Sequence, residues 1–248
     1  MFENTKFRAS SWGNLLTEPR TKSEGALSIT CQKELIKIYN REMYGRVKDI
    51  TTKQMDKGIQ QEPESIKLLS KVEGQFFYKN ENNLENEYFT GTPDLFLLNE
   101  ENQVDECYDI KTSWEIDSFM PKLIEAPDKG YEAQLNCYYD LTGADSGALV
   151  YCLVSAPINI VESEKKALLW RMNVVSEIAP EYLKASSELE KLLIYDDIDY
   201  RERVIIQKVP RNEELIQKMK DKVPVLREWL QNFHTKHMNL YPKTEKSI

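Results

Sequence analysis

The stretch GTPDLFLLNEENQVDECYDIKTSW, residues 91–114, decides the fold. An apolar run follows Asp94, a second one contains Asp109 near its end, and the polar segment 99–102 between them is typical of a hairpin turn. In an antiparallel hairpin, Asp94 and Asp109 lie side by side at one edge of the sheet. Lys111 lies two residues beyond Asp109, so its side chain leaves the same face of the strand.

This arrangement predicts a site for a divalent metal. The carboxylates of Asp94 and Asp109, with the carbonyl of Ile110, are hard oxygen ligands that suit Mg²⁺ or Mn²⁺. An ammonium at Lys111 would position or deprotonate a water, or stabilise a phosphate oxyanion. Two solvated strand ends are the alternative, since Pro-Asp is a common turn dipeptide. Charges inside an apolar strand are costly without a partner, and this favours the site.

The rest of the chain predicts a mixed α/β protein, with a single domain over residues 1–248 as the default and two small domains as the alternative. Hydrophobic periodicity predicts helices, two of which are separated by a short gap before Pro63. The predicted helices are 23–46, 50–58, 63–72, 131–141, 162–171, 180–193 and 212–234. The predicted strands are 75–79, 87–90, 94–98, 104–112, 147–154 and 204–209.

Composition limits the classes of function. The net charge of −8 argues against a protein that coats nucleic acid, but an enzyme that grips DNA with a few local cations stays compatible with it. The start of the sequence lacks the apolar core of a signal peptide, and no run reaches the length of a membrane span. The four cysteines are far apart in apolar contexts, which favours reduced thiols. We therefore expect a cytoplasmic protein.

Four motifs in order resemble a known nuclease family. TPD at 92–94 followed by DIK at 109–111 looks like the PD-(D/E)xK signature. GIQQEP at 58–63 resembles the upstream helix-start motif whose Glu completes the metal site, and QLNCY at 134–138 matches the Q-x-x-x-Y motif of the RecB-like branch. The sequence around these motifs resembles that of the lambda-type phage exonucleases, which are also known as YqaJ-like viral recombinase nucleases. The resemblance covers about residues 7–160.

The resemblance implies a restriction-endonuclease-like α/β fold, with a central mixed β-sheet flanked by helices and a C-terminal helical extension. It implies a 5′→3′ exonuclease that acts on double-stranded DNA ends with Mg²⁺, for which Mn²⁺ can substitute. Its setting would be phage or prophage recombination in a bacterial host, with a single-strand annealing protein as partner and a homotrimer as the assembly. An endonuclease of the same fold and an inert DNA-end-binding module are the alternatives.

The resemblance also implies roles for individual residues at the metal. Asp94, Asp109 and the Ile110 carbonyl would ligate it, and Glu62 would do so directly or through water. Lys111 would orient or activate the nucleophile. For Glu62 the alternative is an acid that a helix N-terminus favours for its dipole alone.

A terminal 5′-phosphate pocket is the second implied site. Gln134 would hold a phosphate or the attacking water, and Tyr138 would pack against the DNA or the site. These two residues are also four apart on one helical face, so a buried polar–aromatic pair is the alternative. Thr92 stands where the family pattern has serine and keeps the hydroxyl. The other residues implied for the pocket are Arg8, Ser10 and Ser11; for Arg8 the alternative is a solvated surface cation.

Overall fold

The computed structural model describes residues 1–21, 25–46 and 52–240. In these ranges, strands and helices mix along the chain. The strands are β1 (Phe7–Arg8), β2 (Leu84–Glu85), β3 (Phe89–Gly91), β4 (Leu95–Leu98), β5 (Val104–Thr112), β6 (Ser146–Cys152) and β7 (Val204–Pro210). The α-helices are α1 (Trp12–Leu15), α2 (Ile29–Tyr44), α3 (Lys53–Glu73), α4 (Ile116–Phe119), α5 (Lys129–Thr142), α6 (Ile158–Met172), α7 (Pro180–Leu193) and α8 (Glu213–Leu240).

A four-stranded mixed sheet in the order β4-β5-β6-β7 forms the centre of the fold. The β4–β5 and β6–β7 pairs are antiparallel, whereas β5 and β6 are parallel. Gly147 begins the close approach of β6 to β5: a Cβ there would lie 1.8 Å from the Cys107 carbonyl oxygen. A second, smaller sheet has the order β1-β3-β2.

The predicted hairpin between β4 and β5 is confirmed. Leu95 pairs with Tyr108, and the turn closes where the Asn99 amide donates to the Gln103 carbonyl at 2.9 Å. Asn102 adopts a positive φ of 60°, a conformation that asparagine tolerates better than most residues. The turn closes the hairpin, and a register shift between Leu97 and Leu98 then brings the two strand ends with the acids together.

Helices cover both faces of the main sheet. On β5, Tyr108 and Ile110 pack into the cluster that includes α3, whereas Cys107 packs with α5. The apolar residues of α8 join those of α2 and α5 in the same core cluster. Because side chains alternate along a strand, Asp109 leaves β5 on the α5 face. In the part of the chain that the structure describes, no helix combines the length and apolar character needed to cross a bilayer.

The two helices predicted at 50–58 and 63–72 form one helix, α3, and the prediction of a break is wrong. Pro63 lies inside α3, where it removes one backbone hydrogen bond. Burial of Ile66 and Leu69 against the sheet outweighs that loss. Glu62 is therefore in the middle of a helix rather than at its start, and residues 50 and 51 lie outside the described residues.

Two further boundaries differ from the predictions. Segment 75–79 is not a strand: its only buried side chain, Phe77, packs against the sheet, and the Phe77 amide donates to Ser70 Oγ at 3.1 Å. The first long helix starts at Ile29, because Ser28 Oγ caps it by accepting from the Cys31 amide at 3.0 Å. Position 23, where the sequence pattern starts this helix, lies outside the described residues.

Candidate functional site

Asp94 and Asp109 converge at one end of the β4–β5 hairpin. Leu95 is paired with Tyr108, so the register extended by one residue sets Asp94 opposite Asp109. Asp94 Oδ2 accepts a hydrogen bond from the Ile110 amide at 2.7 Å. The Asp94 carboxylate is therefore held against the peptide group that directly follows Asp109.

Asp109 is the centre of a small polar network. Its side chain is only 2% exposed, and Lys111 Nζ lies 2.5 Å from its Oδ2. Gln134 Nε2 donates to Asp109 Oδ1 at 3.2 Å and to Tyr138 Oη at 2.8 Å. Gln134 and Tyr138 lie one turn apart on α5, which explains how a helix supplies both groups to the strand. The structure thus brings six of the predicted residues together: Asp94, Asp109, Ile110, Lys111, Gln134 and Tyr138.

The electrostatics of this network favour an additional cation. Burial, and next the charge of Asp109, raise the pKa of Asp94 to about 7, against the opposing effect of the Ile110 amide. Burial also raises the pKa of Asp109, although Lys111 opposes it. Burial alone would lower the pKa of Lys111, but its ion pair with Asp109 outweighs this and raises it. Two carboxylates therefore share one ammonium in a desolvated place.

Glu62 lies near this network but has a different partner. Its Oε1 is 2.9 Å from Lys79 Nζ. Lys79 lies in segment 75–79, which the sequence pattern predicts as a strand, and that pattern did not predict this ion pair. The charge of Glu62 contributes to the raised pKa of Asp94. Within the described ranges, no three His, Cys, Asp or Glu side chains form a group ready to hold a metal ion. Metal ligation by Glu62, Asp94 and Asp109 stays a prediction.

A cavity of about 680 Å³ opens beside the network. Lys111 and Gln134 line it, and Lys111 Nζ lies 4.1 Å from the centre of the Tyr131 ring. Several of the other lining residues belong to segments to which the sequence pattern assigned no function. They include Asn14, Ser113, Trp114, Ser118, Lys122, Asp128, Tyr131 and Tyr151.

The residues predicted for a 5′-phosphate pocket do not share one cavity: some line one or both of two neighbouring cavities, and Thr92 is not among the residues that line either. Ser10 lines the cavity beside Lys111, as Gln134 does. Arg8 and Ser11 line a neighbouring cavity of about 780 Å³, which Ser10 also borders. Ser11 Oγ donates to Glu34 at 3.0 Å, and Thr92 Oγ1 donates to Asn83 at 3.4 Å. The two hydroxyls therefore already have partners in the protein.

Close packing at Gly91 links the Thr92-Pro93-Asp94 turn to α5. A Cβ at Gly91 would lie 2.8 Å from the ring of Tyr138 and 3.1 Å from the Cβ of Ala9. Only glycine fits without displacing that ring. The position of Tyr138, and through it that of Gln134, thus depends on a residue with no side chain.

No protein-family model and no curated protein matches the chain. Solved structures do. A phage-related exonuclease from Haemophilus somnus 129PT is similar at 22% identity, with a TM-score of 0.70 over 94% of this chain and 97% of its own. The chain has the fold of an exonuclease. The predicted α/β class with a restriction-endonuclease-like core is confirmed.

An alkaline exonuclease, LHK-Exo from Laribacter hongkongensis, shares this fold at lower identity. It is 13% identical, with a TM-score of 0.62 over 96% of each chain. LHK-Exo in complex with dAMP matches at 12% identity and a TM-score of 0.64, over 97% of this chain and 95% of that one. The matches cover nearly the whole length of this chain, so the C-terminal helix α8 is part of the shared fold.

Proposed function

We propose that this protein is a Mg²⁺-dependent deoxyribonuclease that degrades double-stranded DNA from its ends in the 5′→3′ direction. One observation carries the proposal: Asp94, Asp109, Lys111 and Gln134 converge at one edge of the central sheet, where Lys111 and Gln134 line a cavity. The fold that the chain shares with a phage-related exonuclease and with the alkaline exonuclease LHK-Exo supports it, because both proteins are named as exonucleases. Fold likeness alone would leave the activity open.

The side chains at this edge fit a hard divalent cation. Asp94, Asp109 and the Ile110 carbonyl would hold Mg²⁺, with Glu62 as a further ligand once it leaves Lys79. The raised pKa of Asp94 supports the fit, since it reflects burial first and then the negative charge of Asp109 and Glu62, against which Lys111 has a smaller effect. When bound, Mg²⁺ supplies positive charge that stabilises a phosphorane-like transition state and acidifies water.

The chain's own residues divide the remaining work. Lys111, held as an ammonium by Asp109, donates hydrogen bonds to the attacking water or to a non-bridging phosphate oxygen. Gln134 uses Nε2 for Asp109 and Tyr138, so it keeps Oε1 as an acceptor. An acceptor orients a water molecule better than it binds a phosphate oxygen, which itself only accepts. Of its two predicted roles, we assign Gln134 to the water.

The neighbouring cavity offers a path for the DNA backbone. Its cationic lining consists of Arg8, Lys37, Arg41 and Arg46, against a single carboxylate, Glu34. This cavity adjoins the one beside Lys111, because Ser10 and Asn14 line both. A protein with a net charge of −8 that gathers cations at one place is suited to local contact with phosphates.

The test is digestion of linear DNA duplexes labelled at the 5′ or the 3′ end, with a covalently closed circle as a third substrate. We expect release of the 5′ label first, with Mg²⁺ and not with EDTA. Lys111→Ala should abolish hydrolysis, whereas Lys166→Ala, which removes an exposed lysine on α6, should leave it unchanged.

Other results would replace the proposal. Cleavage of the closed circle would identify an endonuclease of the same fold. Tight binding to DNA ends without hydrolysis would identify an end-binding module. Full turnover by Lys111→Ala would place the chemistry elsewhere in the protein.

The end-recognition part of the proposal has its own test at Arg8. A guanidinium–phosphate hydrogen bond contributes about 1.5–3 kcal/mol, which is about one to two decades in rate. We expect 5′-phosphorylated duplex to be digested faster than 5′-hydroxyl duplex by that factor, and Arg8→Ala to remove the difference. Equal rates on both ends in the parent protein would contradict the pocket. A loss that is the same on both ends would instead indicate general backbone contact at Arg8.

A further inference from the structure

Tyr151 carries a buried hydroxyl that the fold does not use. It lies on β6, directly beside Lys111 of β5 in the parallel register. The residue is 4% exposed, yet its Oη has no hydrogen-bond partner among the residues that the structure describes. Burial of a hydroxyl without a partner costs free energy, so an unpaired one at a cavity indicates a ligand.

The other buried tyrosines in this region behave differently. Tyr139 Oη donates to the Val209 carbonyl at 2.7 Å, and Tyr138 Oη accepts from Gln134 at 2.8 Å. Tyr195 Oη donates to the Leu192 carbonyl. The unpaired hydroxyl is therefore a property of Tyr151, and not of how this fold buries tyrosine.

The surroundings of Tyr151 hold charges of both signs: the cations are Lys111 and Lys122, and the carboxylates are Asp109, Asp128 and Glu125. Tyr151 lines the cavity that Lys111 and Gln134 also line, and Lys122 Nζ lies 5.7 Å from the centre of its ring. Gln207 of β7 fixes the turn that carries Lys122, because its Nε2 donates to the Lys122 carbonyl at 2.6 Å. Lys122 also forms an ion pair with the exposed Glu125 at 2.5 Å. A hydroxyl donor and an ammonium whose backbone Gln207 holds in place suit a phosphate group, which Lys122 would contact on leaving Glu125.

We propose that Tyr151 Oη and Lys122 Nζ form an anion subsite that binds a backbone phosphate of the DNA strand in the cavity. The identity of this ligand rests on the proposed function. Tyr151 and Lys111 are paired neighbours, so the phosphate lies at the scissile position or at the next linkage along the strand. Burial raises the pKa of Tyr151 to about 12, so the group stays a hydrogen-bond donor at neutral pH.

The isosteric variant Tyr151→Phe tests the subsite. A hydrogen bond to a charged phosphate predicts a loss of about 10- to 150-fold in kcat/KM on linear duplex. Without DNA, the melting temperature should hold or rise, because the variant removes an unpaired buried hydroxyl. Tyr139→Phe is the matched control: it loses a made hydrogen bond, so its melting temperature should fall while kcat/KM is unchanged.

A second arm identifies the phosphate as the ligand. In a set of duplexes, an uncharged methylphosphonate replaces one of the first linkages at a time. We expect the parent protein to lose kcat/KM when the replacement is at one particular linkage. On the duplex modified at that linkage, Tyr151→Phe should have nearly the same kcat/KM as the parent protein, because both changes remove the same contact. Unchanged kcat/KM for Tyr151→Phe would overturn the proposal. A lowered melting temperature would also overturn it, since the hydroxyl would then have a partner within the fold.

The subsite and the proposed function fail in different ways. Binding of labelled linear duplex, measured by fluorescence anisotropy without divalent metal, does not depend on hydrolysis. If the parent protein binds DNA without cutting it and Tyr151→Phe raises Kd by the same factor, the subsite stands and the nuclease proposal fails. If the parent cuts DNA and the variant matches it in both Kd and kcat/KM, the nuclease proposal stands and the subsite fails.

Discussion

Replacement of Asp94 by asparagine should stabilise the metal-free protein at neutral and alkaline pH. The folded protein holds the pKa of Asp94 at about 7, against an ordinary value of 3.8. Between these values the folded state binds a proton that the unfolded state has lost, so stability falls as pH rises. Above pH 7 the folded state bears the full free-energy cost of the ionised carboxylate. At 1.36 kcal/mol for each unit of pKa shift, this cost is about 4 kcal/mol. Below pH 3.8 it is absent.

Asparagine avoids this cost and keeps the local geometry. Its Oδ1 can still accept from the Ile110 amide, which donates to Asp94 at 2.7 Å in the parent protein. Asp94 and Asp109 titrate together, so part of the cost belongs to the pair, and we expect a gain of about 2–4 kcal/mol. For a domain of this size, that is about 4–16 °C in melting temperature.

Thermal unfolding in EDTA, followed by circular dichroism at pH 4, 6 and 8, measures the gain. We expect little difference between Asp94→Asn and the parent at pH 4 and the full difference at pH 8. The control Asp105→Asn removes an exposed carboxylate of the same strand and should show no such trend. A variant less stable than the parent at pH 8, or a gain independent of pH, would refute the reasoning.

Thermal unfolding in the presence of Mg²⁺ measures metal binding independently of activity. A ligand that binds only the folded state adds about 2.7 kcal/mol at one hundred times its Kd. The parent protein should therefore rise in melting temperature with Mg²⁺, and Asp94→Asn should rise much less. Equal shifts in both proteins would show that Asp94 is not a metal ligand.

Two further perturbations follow from the packing around the site. Lys57→Met should lower the free energy of unfolding in urea by about 2–3 kcal/mol, because Lys57 Nζ donates to the carbonyls of Ser113 and Trp114 at 2.9 Å each. Burial lowers the pKa of Lys57 from 10.5 to about 8. Between these values the unfolded chain binds a proton at Lys57 that the folded chain lacks, so stability rises with pH. The parent protein should therefore gain stability from pH 8 to 10, and Lys57→Met should not. Gly91→Ala should cost about 1–3 kcal/mol and reduce hydrolysis, since the added Cβ displaces the ring of Tyr138; a stable and fully active variant would contradict this.

Local pattern in the sequence determined the elements at the site. The two apolar runs on either side of the polar turn at 99–102 define the hairpin, whereas nothing in the sequence pattern predicted the register shift between Leu97 and Leu98 that sets Asp94 opposite Asp109. Period-two spacing puts Asp109 and Lys111 on one face of β5, and period-four spacing puts Gln134 and Tyr138 on one face of α5. These relations join residues close in the chain, so the sequence is sufficient to predict them.

Segments whose conformation depends on distant contacts could not be predicted in this way. Pro63 indicates a helix start by its local preference, but burial of α3 against the sheet overrides that preference. The ion pair of Glu62 with Lys79 and the placement of Arg8 and Gln134 in different cavities depend on how separate elements pack.

The tertiary structure alone decided which polar groups share an environment. Tyr151 belongs to a continuous apolar run, typical of a strand buried on both faces, and nothing local distinguishes its hydroxyl from that of Tyr139. Only the folded chain shows that the Tyr139 hydroxyl meets a carbonyl, whereas the Tyr151 hydroxyl is buried without a partner in a residue that lines a cavity. Desolvation and pairing depend on distance in space, whereas hydrophobic periodicity encodes only which face of an element is buried.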